Sequence, residues 1–286
     1  MTKLKLATSQ FLITANVDQN LNTIRRHMKR AHHEGAQLVH FSEACLTGYL
    51  GSELQSAREC DWDGAHVAMH EVMALARDLK LWTVIGSNHR LSGKNKPHNS
   101  LYVVNDQGEL VTRYDKMFCC GTTNNNQDLK HYSPGEQFVD FTVRGVKCGL
   151  LICHDFRYPE LFREYKRRGA HLVLVSFHLA GMKREDYDKY MVTVPATLQA
   201  AAASNFLSIS SNNGTRPMAC PSFVVNPEGM IVDRARAHRN TILVNTIDTK
   251  AKLYDASVTW RERAMNGTFH SGNLIKDKRS SARTEL

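Results

Sequence analysis

The chain has 286 residues, 42% of them hydrophobic and 23% charged, proportions that suit a folded globular protein and exclude an intrinsically disordered one. Its length allows one large domain with a sizeable core. The formal charge of +9 is scattered apart from Lys166-Arg167-Arg168 and the tail over 276–283, and no finger spacing or aromatic-basic motif accompanies it, so nucleic acid is not an expected partner.

Strand-length apolar runs alternate with helical patterns, which predicts a layered α/β domain. Residues 5–11 read as a strand. Asp18 is the candidate N-cap of a helix that runs to about His33 and ends at Gly35. A buried strand over 37–42 then delivers Glu43 at its C-terminal end. A helix over 66–79 leads into a strand over 82–87. Runs at 101–104 and 110–114 flank the turn sequence Asn105-Asp106-Gln107-Gly108, predicting a hairpin that ends just before Lys116. The stretch 119–135 is polar and without period, and reads as a long loop of the kind that often carries function. Strands over 138–143 and 147–153 turn about Gly145. A helix opening near Pro159 runs to about Arg168, followed by a strand over 171–177. A helix over 194–203, a strand over 206–211, a strand pair around Asn226-Pro227-Glu228-Gly229 and a strand over 241–247 complete the pattern. One domain over 1–265 is expected, with a loosely structured or partner-packing arm over 266–286.

The seven cysteines are Cys45, Cys60, Cys119, Cys120, Cys148, Cys153 and Cys220, an odd number without paired ligand spacing. They argue for reduced thiols and against a zinc site, with Cys119 and Cys120 read as loop and packing residues. The opening Met1-Thr2-Lys3-Leu4-Lys5-Leu6 lacks the apolar stretch of a signal peptide, and no run is long enough to cross a bilayer. A soluble cytoplasmic protein without membrane contact is expected.

Gly149-Leu-Leu-Ile-Cys-His-Asp-Phe-Arg-Tyr-Pro-Glu-Leu161 ends an apolar strand in Cys153, with a helix opening about six residues on. Such a position is expected to lower a thiol below its free pKa of about 8.5. Taken alone, a cysteine ending an apolar strand is more often an inert core residue. Glu43 follows one buried strand, where an unpaired acid would be costly, and Lys116 follows another. Singly, each is the usual solvated end of a strand.

Together, in the order Glu43, Lys116, Cys153, the three resemble the signature of the nitrilase (carbon-nitrogen hydrolase) superfamily. The resemblance rests on Phe41-Ser-Glu-Ala-Cys-Leu-Thr-Gly-Tyr49, on Arg113-Tyr-Asp-Lys-Met117, and most specifically on Cys153, Asp155, Arg157, Pro159 and Glu160. It extends from Gln10 to the strand near Ile247. It implies a single-domain αββα sandwich whose layers continue across a homodimer or higher homo-oligomer, with no metal and no organic cofactor. It also implies Cys153 as nucleophile, Glu43 as general base, Lys116 as oxyanion stabiliser and the His154 backbone N–H as a second oxyanion donor. The family often has a second acid before a Pro-Gly pair. Pro134-Gly135 is present here, but Asp128 is the nearest acid, with Glu136 after the pair as the other candidate, or no acid at all.

Tyr49, Arg157, Phe177 and His178 are candidates for the substrate pocket. Arg157 would hold a substrate carboxylate or, more plainly, pair with Glu160. His154 as a base for Cys153 is opposed by strand periodicity, which points neighbouring side chains to opposite faces. The implied reaction is hydrolysis of a small amide or carbamoyl compound at a C–N bond other than a peptide bond, through a thioester. Nitrile hydrolysis and amide-forming acyl transfer would use the same three residues. A catalytically silent binding or scaffold homologue is the alternative of a different class.

Overall fold

Period-2 burial along the first strand sets the layering. In β1 (Lys3–Gln10), Leu4, Leu6 and Thr8 face a second sheet, whereas Ala7 and Ser9 face a helix, Ser9 Oγ being hydrogen-bonded to Nδ1 of His27 at 2.8 Å. In β2 (Leu38–His40) the same alternation sends Leu38 and His40 inward to the second sheet and Val39 outward. The computed structural model describes residues 2–121, 127–179, 183–216 and 220–284.

Strands β3 (Trp82–His89), β4 (His98–Val104) and β5 (Leu110–Asp115) continue the first sheet. The second sheet holds β6 (Asp140–Val143), β7 (Val146–Ile152), β8 (Leu172–Ser176), β9 (Ser208–Asn212), β10 (Phe223–Val225) and β11 (Ile231–Arg234). The last strand, β12 (Thr241–Asp248), returns to the first sheet, so the orders are β12-β1-β2-β3-β4-β5 and β11-β10-β9-β8-β7-β6. β1, β2 and β3 run parallel, as do β7, β8 and β9, and parallel neighbours need crossover connections. Helices α1 (Val17–His33) and α2 (Trp62–Leu79) supply them for the first sheet, α3 (Pro159–Arg167) and α4 (Tyr187–Asn205) for the second.

One core cluster joins Leu21, Ile24 and Met28 of α1 and Val72 of α2 to the outer face of the first sheet. A larger one fills the space between the sheets and beneath α3 and α4. The architecture is the expected αββα sandwich. Within the inter-sheet layer runs a polar rung: His40 is hydrogen-bonded through Nδ1 to Ser210 Oγ (2.9 Å) and through Nε2 to Ser176 Oγ (2.8 Å), and Ser210 Oγ meets Thr8 Oγ1 at 2.7 Å. Burial pushes His40 down to about 3, so it stays neutral.

Three helix starts differ from the expected ones. Asn16, not Asp18, caps α1, accepting from the Gln19 backbone N–H at 2.8 Å; Asp18 lies in the first turn. Asp61 caps α2 by accepting from Gly64 N–H at 2.9 Å, so that helix opens at Trp62 instead of residue 66. α4 opens at Tyr187 and runs through Pro195; its first turns leave Met191 and Val192 exposed, which erases the apolar periodicity that would have announced them.

Tyr254–Leu286 forms a small unit of its own, with two short helices, α5 (Arg261–Met265) and α6 (Lys278–Ser281), and an Arg261–Asp255 ion pair. Among the described residues no helix is long and apolar enough to cross a membrane.

Candidate active site

Glu43 lies in the turn that follows β2, and a glycine makes room for that turn. A Cβ on Gly86 of β3 would stand 2.2 Å from the Ser42 carbonyl oxygen and 2.6 Å from the Ala44 nitrogen, so no other residue fits there undisturbed. The Glu43 side chain is wholly buried, and both of its oxygens accept hydrogen bonds. Oε1 accepts from Asn99 Nδ2 at 2.7 Å and from Lys116 Nζ at 3.0 Å, and Oε2 accepts from the His178 backbone N–H at 2.8 Å.

Lys116 stands just past the end of β5, its backbone N–H donating to the Asn99 carbonyl at 2.9 Å, and only 1% of it is exposed. Its ammonium bridges two acids, Glu43 and Asp128, the latter accepting through Oδ2 at 2.8 Å. Asp128 is fixed in turn by the Tyr49 hydroxyl, which donates to Oδ1 at 2.6 Å, and by the Cys120 backbone N–H, which donates to Oδ2 at 2.7 Å. Burial alone would drive Lys116 down, but Glu43, Tyr49, Asp128 and Cys153 outweigh it and hold the lysine well above its usual range. Burial opposes ionisation of Asp128 as well, but the Lys116 charge together with the hydrogen bonds from Lys116, Tyr49 and the Cys120 N–H more than offsets it, leaving that carboxyl below its ordinary value. The loop carrying Asp128 is thus pinned inward through a short 3-10 turn, Asp128–Lys130. Residues 122–126 of the expected 119–135 loop lie outside the described residues.

Cys153 is not the last strand residue. It opens a 3-10 turn, Cys153–Arg157, with a φ of +44°, a left-handed conformation that costs a non-glycine residue about 1–3 kcal/mol and is held by its surroundings. The holding group is Asp155. Its buried carboxylate accepts from Ile152 N–H (2.9 Å) and the Tyr114 hydroxyl (2.8 Å) through Oδ2, and from Phe118 N–H (2.8 Å) through Oδ1. Two of these donors flank Lys116 in sequence, so one side chain ties the cysteine turn to the lysine strand end. A Phe118–Tyr158 ring stack, centroids 3.8 Å apart, adds a second tie.

The thiol behaves opposite to expectation. Burial pushes Cys153 up, the Glu43 carboxylate adds to this, and Lys116 pulls the other way without prevailing. Burial, together with the net negative charge that two carboxylates around one ammonium leave beside the sulfur, outweighs the short turn and the helix beyond it. Cys153 is therefore a neutral thiol at rest, with a carboxylate at hand.

The remaining predicted residues divide. Tyr49 belongs to the cluster: its hydroxyl holds Asp128 and its ring stacks on His178 at 5.0 Å. His178 is fully buried, its backbone on Glu43 and its Nε2 lying 2.9 Å from the Glu53 carboxylate. Phe177 is placed in the core against Phe156 (centroids 5.2 Å) and is 1% exposed. Arg157 is exposed, its guanidinium over the rings of Phe156 and Tyr190; among the described residues it forms no ion pair, so the Glu160 partner expected from sequence is not found. Glu136 is exposed in a surface cleft with His98, Arg113 and Asp115, which leaves Asp128 as the acid that reaches Lys116. His154 sits in the 3-10 turn, so the strand argument used against it does not apply; burial, Lys116 and Arg157 together lower its pKa, and its ring lies against Tyr158. Sequence reading missed Asn99, Tyr114 and Glu53 and gave Asp155 no task. The available signal was polarity: Asn99 and Ser100 are buried polar residues opening an otherwise apolar strand.

A family model described as carbon-nitrogen hydrolase matches residues 5–253. Nitrilase homolog 2 of Dictyostelium discoideum is 26% identical over 59% of this chain and 52% of its own length. Deaminated glutathione amidase of Yersinia enterocolitica is 26% identical over 61% of this chain and 63% of its own. The chain thus spans between half and two thirds of the length of these relatives. Among solved structures, a glutamate-to-glutamine mutant of the amidase from Nesterenkonia sp. AN1 shows covalent addition of the acetamide moiety of fluoroacetamide at the active-site cysteine. It superposes with a TM-score of 0.73 at 25% identity, covering 92% of this chain and 95% of that one.

Proposed function

This chain belongs to the carbon-nitrogen hydrolase family, and from that premise we propose that it hydrolyses a small amide or carbamoyl compound through a thioester on Cys153. The observation that carries the reading is the buried cluster in which Lys116 joins Glu43 to Asp128 beside a strained cysteine turn. Burying two acids and a lysine is expensive, and replacing such a group by apolar residues is often neutral or stabilising, so stability alone is a poor reason for its presence.

Each group has a step. Glu43 takes the Cys153 proton as the sulfur attacks the carbonyl carbon, the neutral resting thiol making that transfer part of the attack. Oε1 of Glu43 already serves two donors, while Oε2 serves one and keeps an acceptor site for the proton. The carbonyl oxygen becomes an oxyanion. Of the three N–H bonds of the Lys116 ammonium, two are committed to Glu43 and Asp128, and the third stabilises the oxyanion together with the His154 backbone N–H. The C–N bond breaks as Glu43 returns its proton to the leaving nitrogen, releasing ammonia or an amine and leaving the thioester. Glu43 then deprotonates water, which attacks the thioester; the acid departs and Cys153 recovers its proton.

Asp128 and Tyr49 keep the lysine aimed, and relatives named as amidases support an amide over a nitrile as substrate. The test is ammonia release across a panel of amides, carbamoyl amines and nitriles. Turnover of an amide that vanishes in both Cys153→Ala and Glu43→Gln supports the reading, and turnover that survives Cys153→Ala overturns it.

A further inference from the structure

Away from the catalytic cluster, α2 carries a convergent pair of donor atoms. His66 and His70 are four residues apart, which places them one above the other on a helix face, and both are exposed. Their Nε2 atoms are 3.2 Å apart, with the rings near perpendicular at 77°. A neutral imidazole has one lone pair and one N–H, so two Nε2 atoms this close must share either a proton or a cation.

The span suits a cation. With imidazole nitrogens about 2.05 Å from a transition metal, the 3.2 Å separation subtends about 103° at the metal, between octahedral and tetrahedral angles. The backbone needs no adjustment, since α2 is capped by Asp61 and seated through buried Ala65, Ala68, Val72 and Ala76. The pair borders a cleft of about 660 Å3 that is also lined by Trp62, Met69 and His89. Among the described residues no three His, Cys, Asp or Glu side chains converge on a metal, so the chain supplies two ligands and leaves the other positions to water or to a donor-bearing molecule in the cleft.

We propose that His66 and His70 form a two-point chelate for a divalent transition-metal ion on the outer face of α2, separate from the amide-cleaving cluster. Imidazole nitrogen selects Cu2+, Ni2+ or Zn2+ over Mg2+ and Ca2+, with Cu2+ the tightest. Calorimetric titration of the metal-free full chain with Ni2+ tests this. One equivalent should bind and raise Tm, as any ligand specific to the native state does. His66→Ala and His70→Ala should each weaken binding by roughly ten-fold or more, about 1.4 kcal/mol, and leave metal-free amide hydrolysis unchanged. A variant lacking the thiols of Cys119, Cys120 and Cys153 should bind Ni2+ as the parent does. Both histidine positions are exposed and alanine favours helix, so folding is retained, which circular dichroism verifies. Absence of binding, binding that survives both histidine substitutions, or binding that disappears with the thiols overturns the proposal.

Discussion

Asp155→Asn tests how the nucleophile is positioned. The carboxylate of Asp155 accepts three hydrogen bonds and donates none, and an amide of the same shape cannot accept all three. The Tyr114 hydroxyl can rotate to suit the new group, but the backbone N–H groups of Ile152 and Phe118 cannot. One of them then faces an NH2, leaving an unmet buried donor that costs about 1–3 kcal/mol. The slack falls between Cys153 and Lys116, where a displacement of about 1 Å reduces rate by about 100-fold. Steady-state kinetics should therefore show kcat/KM lowered by about 100-fold, while circular dichroism still reports a folded protein.

A second readout separates positioning from general damage. Burial raises Asp155 to about 6, above its ordinary 3.8, so the native state binds a proton that the unfolded chain releases. The group's stabilising contribution is fully present below about pH 4 and is lost as pH rises through 6, a swing of about 3 kcal/mol. Denaturant titrations of parent and Asp155→Asn should accordingly show a stability gap that narrows from pH 4.5 to pH 7. Activity within twofold of the parent, or a gap that widens with pH, would rule out a positioning role for Asp155.

Asn99→Ala removes one of the three donors to Glu43, and a hydrogen bond to a charged group is worth about 1.5–3 kcal/mol, so kcat should fall about 10- to 100-fold with KM little changed in the same kinetic assay. Lys116→Met strands Glu43 and Asp128 as unpaired buried acids. Chemical denaturation should show a loss of about 3–5 kcal/mol at pH 7, partly regained on acidification as the acids take up protons. Gly86→Ala forces a methyl against the Ser42 carbonyl and should displace the Glu43 turn, lowering both Tm and turnover. His40 has the opposite linkage to Asp155: its folded pKa, about 3, is depressed, so its contribution is present above about pH 6.5 and is lost as pH falls toward 3. The acid limb of the stability curve should flatten in His40→Gln, which denaturant titration between pH 7 and 4 measures.

The fold was legible because burial follows period. The even and odd residues of β1 divide between sheet and helix, and the strand-helix alternation leaves few other ways to cover both sheets. The strand-end positions of Glu43 and Lys116 were legible for the same reason. What escaped depends on neighbours distant in sequence. The direction of the Cys153 shift is set first by burial and then by Glu43, 110 positions earlier, while the local pattern suggested only a nearby helix start. The choice between Asp128 and Glu136 could not be made from the Pro134-Gly135 pair, because it depends on a turn folding inward onto Tyr49 and the Cys120 N–H. Arg157 and Phe177 read as pocket candidates from their places in the chain, and their aromatic contacts, with Phe156 and Tyr190 for Arg157 and with Phe156 for Phe177, are not legible there. Asp61 and Asn16 moved two helix starts because a cap is a single side-chain hydrogen bond, available to several nearby residues.

Intact-mass spectrometry during turnover of a slowly hydrolysed amide tests most directly whether Cys153 carries the acyl group. A mass gain equal to the acyl group is expected, mapped to the peptide containing Cys153, cleared by hydroxylamine and absent in Cys153→Ala. Steady ammonia release with no acyl adduct at any time point, undiminished in Cys153→Ala, would contradict that role for Cys153.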